Sequence, residues 1–200
     1  AATAPLRKSP RRPARAWRLS VAHGSQGVLG DLGCHIYDMA HLLCGDIAEI
    51  DCRLATYKKG VRGERLGEYV FDANDSFVST VVFKNGAIGT IASSRWAAGH
   101  GNREFITVYG DKGAIEVDFE KGLNTLRVAK PGVRGKEEWN EIACKPVPSL
   151  YARFIKAIRS GKKDPCDFAN GLKVQAYLHH SFASSERSEE RRVGKECATG

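Results

Sequence analysis

The chain has 200 residues, 42% hydrophobic and 27% charged, a globular composition able to bury a core. Its net charge of +8 raises nucleic-acid or membrane binding, but Arg7, Lys8, Arg11, Arg12 and Arg15, with no acid among residues 1–16, supply +5 of it. No zinc-finger spacing, RNA-binding aromatic signature or apolar run of about eighteen residues accompanies the basic residues, so neither a nucleic acid nor a membrane is expected as a partner.

Residues 1–16 are rich in Arg, Pro and Ala and lack apolar periodicity, so they read as a disordered or spurious basic segment. From Asp31 the spacing predicts an amphipathic helix ending at Gly45. At about 100° per residue, Asp31, His35, Asp38 and Leu42 share a narrow face. Leu32, Ile36, Met39, Ala40 and Leu43 form the neighbouring apolar face, expected to be buried. Asp31 is placed to cap or start the helix, and Gly45 to end it. The narrow face suits proton chemistry. An imidazole takes or returns a proton near neutral pH, a carboxylate one turn away can orient it, and a second carboxylate can accept hydroxyl groups. A solvated helix face carrying one chance His is the alternative.

Strands are expected over residues 47–59, 77–83 and 87–96, the last two joined by a hairpin at Asn85-Gly86. A polar connection fills residues 60–67. A second hairpin pairs residues 105–109 with 114–119 around Gly110–Gly113, and residues 123–129 continue the meander. Ser149 caps a helix that stops at Ser160-Gly161, and Asp167 starts another. The order helix, strands, two helices predicts an α+β fold, a mainly antiparallel open sheet with helices packed on one face. The six cysteines include no C-x-x-C pair and read as reduced thiols, which points to the cytoplasm; no metal site is expected. His23, His41, His100, His179 and His180 lack partner spacing and read as surface or core histidines.

Asp31-x-Gly33-x-His35-x-x-Asp38, with a Gly-rich approach before it and an apolar helix ending in Gly45 after it, resembles the Gfo/Idh/MocA oxidoreductase family. Trp17-Arg18, Asp75-Ser76, Phe83-x-Asn85-Gly86-Ala87, Gly110-x-Lys112-Gly113 and Gly171-Leu172 fall where that family's C-terminal domain has similar residues. The resemblance implies a substrate and oligomerisation domain over residues 17–184, with catalytic Asp31 and His35 and substrate-binding Asp38. Arg95 and Trp96 lie at a strand end where family members can place substrate contacts; Arg95 is taken as substrate-binding, an interface Arg and a packing Trp being the alternative. The implied cofactor is NAD or NADP, bound mainly by an N-terminal Rossmann domain. No G-x-G-x-x-G or Glu-Lys-Pro occurs here, so the chain reads as the back half of a gene, inactive without that domain. The implied reaction is oxidation of a sugar or polyol secondary alcohol. An NAD-dependent glycosidase and a non-catalytic oligomerisation or binding domain are the alternatives, and a homo-oligomer through the open sheet face is expected. Residues 185–200, containing Arg187–Cys197, resemble the translation of a sequencing adapter and are set apart from the fold.

Overall fold

The computed structural model describes residues 13–60, 64–131, 138–187 and 191–192. The expectations for residues 1–12, for most of the tail and for the middle of the 60–67 connection lie outside the described residues. The chain divides into two units, residues 1–96 with 165–200, and residues 97–164.

In chain order the first unit begins with a 3-10 helix over Pro13–Leu19, a π-helical turn over Leu29–Gly33 and α1 (Cys34–Cys44). Next come β1 (Ile47–Ala55), β2 (Arg65–Leu66), β3 (Tyr69–Val70), β4 (Ser76–Phe83) and β5 (Ile88–Ser94). The second unit holds β6 (Phe105–Gly110), β7 (Gly113–Asp118), β8 (Thr125–Ala129), β9 (Trp139–Ala143) and α2 (Leu150–Ser160). The chain then returns to the first unit with α3 (Phe168–Arg187) and β10 (Arg191–Arg192). The combination of helices with antiparallel strands is the expected α+β class. The strands are divided between a sheet of order β10-β1-β4-β5, another of order β6-β7-β8-β9, and the small β2-β3 pair.

In the first unit β4 alternates strictly. Phe77, Ser79, Val81 and Phe83 are buried, while Val78 and Thr80 face out. The buried face meets Ile47, Ile50 and Cys52 of β1, Ile91 of β5, Val28 and Leu29 before α1, and Val174, Tyr177 and Leu178 of α3. Burial of such side chains is worth about 1.5–3 kcal/mol each, so this one-sided apolar layer is what holds α3 to the sheet. α3 also covers the side of β1 away from β4. Ser184 Oγ and Ser185 Oγ accept the Cys52 and Leu54 backbone N–H groups at 3.0 and 3.1 Å, which blunts an edge otherwise open to pairing. Beyond that point β10 pairs with Glu49 and Ile50, so these two residues of the tail join the sheet.

A buried ion pair fixes the approach to β4. Lys59 Nζ lies 2.6 Å from Asp75 Oδ2, both side chains 2% exposed. Lys59 also donates to the Tyr57 carbonyl, and Asp75 accepts the Tyr57 backbone N–H. Both charges are thus hydrogen-bonded as well as paired, the condition for burying them without a large penalty.

The second unit follows the expected hairpin, β6 pairing β7 from Phe105↔Asp118 to Gly110↔Gly113. Arg103 donates to Asp118 at 2.9 Å and holds its carboxyl below the ordinary carboxylate range. Ser149 Oγ accepts the Ala152 N–H at the start of α2, and Gly161 ends it in the left-handed conformation, as the sequence implies.

Candidate active site

The helix that carries the site starts earlier than its apolar pattern indicates. The backbone is already helical at Val28, and the cap comes from far along the chain. Asn74 Oδ1 accepts the Leu29 N–H at 3.0 Å, its backbone carbonyl accepts the Val28 N–H at 3.0 Å, and its Nδ2 donates to the Gln26 carbonyl. Gly27 makes this approach feasible: its φ is +65°, and a Cβ there would stand 2.3 Å from Asn74 Nδ2. Gly33 faces β4, where a Cβ would meet the Phe77 ring at 3.2 Å. The glycine before His35 therefore lets the helix lie directly on the sheet.

Asp31 sits inside the π turn and caps nothing, a correction to the expected helix start. Its carboxylate is instead held by two arginines. Arg95 Nη2, just past the end of β5, donates to Oδ2 at 3.1 Å. Arg18 Nη1, in the 3-10 helix, donates to Oδ1 at 3.4 Å. The π turn also alters the face assignment. Residues i and i+4 are stacked neighbours in an α-helix, a relation that a wider turn does not keep. Among the described residues His35 is exposed and its side chain has no hydrogen-bond partner, so no hydrogen bond joins it to Asp31. The buried residue of α1 is Tyr37, while Leu42 and Leu43 are 72% and 43% exposed.

Asp38 is partly buried and accepts a 2.6 Å hydrogen bond from Asn170 Nδ2 near the start of α3. Asn170 is fixed in turn, its backbone N–H donating to Asp167 Oδ1 at 2.9 Å. The structure therefore joins Arg95 to Asp31 and leaves Asp38 with a separate partner. Sequence reasoning missed Arg18 as a site residue, Asn170 and the capping Asn74. Trp17-Arg18 stood out only as family pattern, and nothing local to Asn74 or Asn170 marks a partner so distant in the chain. Trp96 packs edge-on against Tyr57 with ring centroids 5.7 Å apart, which is a packing role.

The ends of α1 and β1 meet in a second polar cluster. Asp46 receives Lys173 at 2.7 Å and Lys84 at 3.1 Å, which hold its carboxyl below the usual range, and His41 Nδ1 lies 3.3 Å away. Among the described residues no group of His, Cys, Asp or Glu converges to hold a metal ion, and Cys34, Cys44, Cys52 and Cys144 are free thiols. No described helix is long and apolar enough to cross a membrane.

Comparisons with known proteins bear on this geometry. A profile described as the GFO/IDH/MocA C-terminal domain matches residues 4–116, a span that contains Asp31, His35, Asp38 and Arg95 and begins within the basic segment. A levoglucosan dehydrogenase of Pseudarthrobacter phenanthrenivorans is 25% identical over 87% of this chain and 53% of its own length. A myo-inositol 2-dehydrogenase of Thermotoga maritima is 28% identical over 95% of this chain and 55% of its own. The chain thus spans about half the length of these curated relatives. Among solved structures, levoglucosan dehydrogenase in complex with NADH and levoglucosan shares the fold, with a TM-score of 0.80 at 24% identity, covering 95% of this chain and 56% of that one. An oxidoreductase domain protein from Kribbella flavida gives a TM-score of 0.75 at 27% identity, covering 90% and 54%. With more than half of its residues matched by the family profile, this chain belongs to the GFO/IDH/MocA family, through its C-terminal domain.

Proposed function

We propose that this chain is the substrate-side portion of an oxidoreductase acting on a secondary alcohol of a sugar or polyol, with NAD or NADP held mainly by a domain outside these 200 residues. The observation that carries the reading is the display of Asp31, His35 and Asp38 along one helical segment. Arg95 is brought to that segment from 64 residues away, in a family whose curated relatives include sugar and inositol dehydrogenases.

The described residues do not make the sheet of a Rossmann site. A Rossmann site needs parallel strands joined through a crossover helix, and every strand pairing among the described residues is antiparallel. Of the proton and the hydride equivalent that leave an oxidised carbinol, only the proton is assigned here. His35, exposed and without a partner among the described residues, is the base that takes it from the hydroxyl. Asp31, held by Arg18 and Arg95, supplies a fixed negative charge four residues from the imidazole. Asp38, steadied by Asn170, accepts a substrate hydroxyl.

The test uses a polypeptide that joins this chain to its cofactor-binding half. His35→Ala is expected to lower kcat by about 10²–10⁴-fold with little change in KM. Asp38→Asn is expected to raise KM more than it lowers kcat. Both leave the melting temperature near the parent's. A His35→Ala enzyme with nearly normal kcat overturns this assignment.

A further inference from the structure

We propose that Arg18 and Arg95 are the positioning residues of Asp31, and that this carboxylate belongs to a guanidinium–carboxylate–guanidinium triad and not to a pair with His35. Three separate elements meet at the carboxylate. Arg18 comes from the N-terminal 3-10 helix, Asp31 from the π turn, and Arg95 from the end of β5. Arg95 Nη2 donates to Oδ2 at 3.1 Å, and Arg18 Nη1 straddles the carboxylate, 3.4 Å from Oδ1 and 3.5 Å from Oδ2. Of the two, the shorter and more buried Arg95 contact sets the position of the carboxylate, and the longer, half-exposed Arg18 contact supports it.

The arginines are themselves anchored. The Arg95 backbone N–H donates at 2.9 Å to the carbonyl of Asp75, the acid of the buried Lys59 pair, so the backbone that carries the guanidinium is tied to that pair. The Arg18 carbonyl accepts Ser25 Oγ at 2.6 Å, and its guanidinium lies over the Trp17 ring at 5.5 Å. Arg95 is the more buried, with 22% of its side chain exposed against 48% for Arg18. Its Nη1 is buried with no hydrogen-bond partner among the described residues. A buried guanidinium nitrogen is rarely left unpaired. Arg95 accepts that cost while its other terminal nitrogen bonds Asp31, as expected if the carboxylate dictates the orientation of the guanidinium.

The geometry separates two jobs. Asp31 is placed by its arginines before any ligand arrives, and His35 stands outside that network. That Asp31 serves the reaction rests on the proposed function; its placement by two arginines is tested without turnover.

The experiment uses the 200-residue chain labelled with ¹³C and ¹⁵N, observed by NMR at neutral pH as the parent, Asp31→Asn, Arg95→Gln, Arg95→Lys and Arg18→Gln. In the parent the Arg95 guanidinium signals should be resolved and slow to exchange. Asp31→Asn should abolish that protection and leave the His35 ring signals in place. Arg95→Gln and the exposed Arg18→Gln should each displace the Asp31 carboxyl carbon signal, Arg95→Gln more. Arg95→Lys, which restores charge without the fork, should recover the shift only partly, and added methylguanidinium should move the Arg95→Gln spectrum toward the parent's. An Asp31 signal indifferent to both arginine changes overturns the proposal. So does a His35 ring that responds to Asp31→Asn while the guanidiniums do not. Arg18→Gln keeps the test open if an Arg95 variant fails to fold.

Discussion

Tyr37 carries a hydroxyl into the most apolar part of the molecule. The side chain is fully buried, and its hydroxyl sits 2.7 Å from both Ser79 Oγ on β4 and Ser181 Oγ on α3. One residue therefore ties three elements together through a small polar network inside the core. Burial pushes its phenol up to about 12, against the partial counter-effect of the serine hydroxyls. In the unfolded chain the same phenol ionises near about 10. The folded state thus keeps a proton that the unfolded state has lost. This contribution to stability is complete below about pH 10 and disappears as pH rises through about 12. Tyr37→Phe should cost about 1–3 kcal/mol at neutral pH, because the serines lose a partner. It should also flatten the loss of stability between pH 10 and 12, and urea denaturation across that range reads both effects. An unchanged alkaline slope would show that other groups carry it. The sequence gives no sign of this role: a tyrosine off the apolar face of a helical wheel looks like a solvent-facing residue, and its two serine partners are 42 and 144 residues away.

At the scale of the element, what was legible is what local pattern controls. Strand and turn pattern located β4, β6 and β7 to within a residue and β5 to within two, and the Ser149 cap bounded α2. The two-residue strands β2 and β3 are too short to show a period, and β9 is too polar. The start of the site helix was misplaced because its cap, Asn74, lies 45 residues from the N–H it satisfies. The face assignment assumed a regular 100° step, which a π turn around Asp31 does not keep. The sequence marks Asp31, His35, Asp38 and Arg95 only as candidates; the partners of Asp31 and Asp38 depend on β5 and α3 coming into place and leave no local signal. Gly27→Ala tests the helix start directly. The new methyl collides with Asn74 at a backbone angle that L-residues avoid, so the variant should lose about 1–3 kcal/mol. Its amide exchange at Leu29 and Gly30 should quicken more than that of β4. Equal protection throughout would mean the cap is dispensable.

For the whole molecule, the sheet of the first unit has one face in the core and one open. Val78 and Ile88 on the open face are 52% and 82% exposed, and Val82 pairs directly with Ile88 across the strands. Thr80, Thr90 and Ala92 complete a flat, small-residue surface beside them. Such a face suits a second copy of itself, and we propose that the chain self-associates there. Replacing Val78 and Ile88 together by Lys should shift sedimentation toward the monomer while leaving the melting temperature close to the parent's, since neither side chain is buried in one copy. A parent that sediments as a monomer at every concentration tried removes the idea.

The serines that cover β1 set the order in which the molecule can be made. Cys52 and Leu54 find their hydroxyl partners 132 and 131 residues further on, after all of residues 97–164. Synthesis runs from the N-terminus, so β1 leaves the ribosome with its partners unwritten. Until α3 arrives, its N–H groups and the apolar face behind it remain open to any strand that passes. Contacts of such long range make folding slow and its waiting stages prone to aggregation. Among the described residues the first long strand is finished by the last long helix, and a nascent chain halted before α3 should depend on a chaperone to stay in solution.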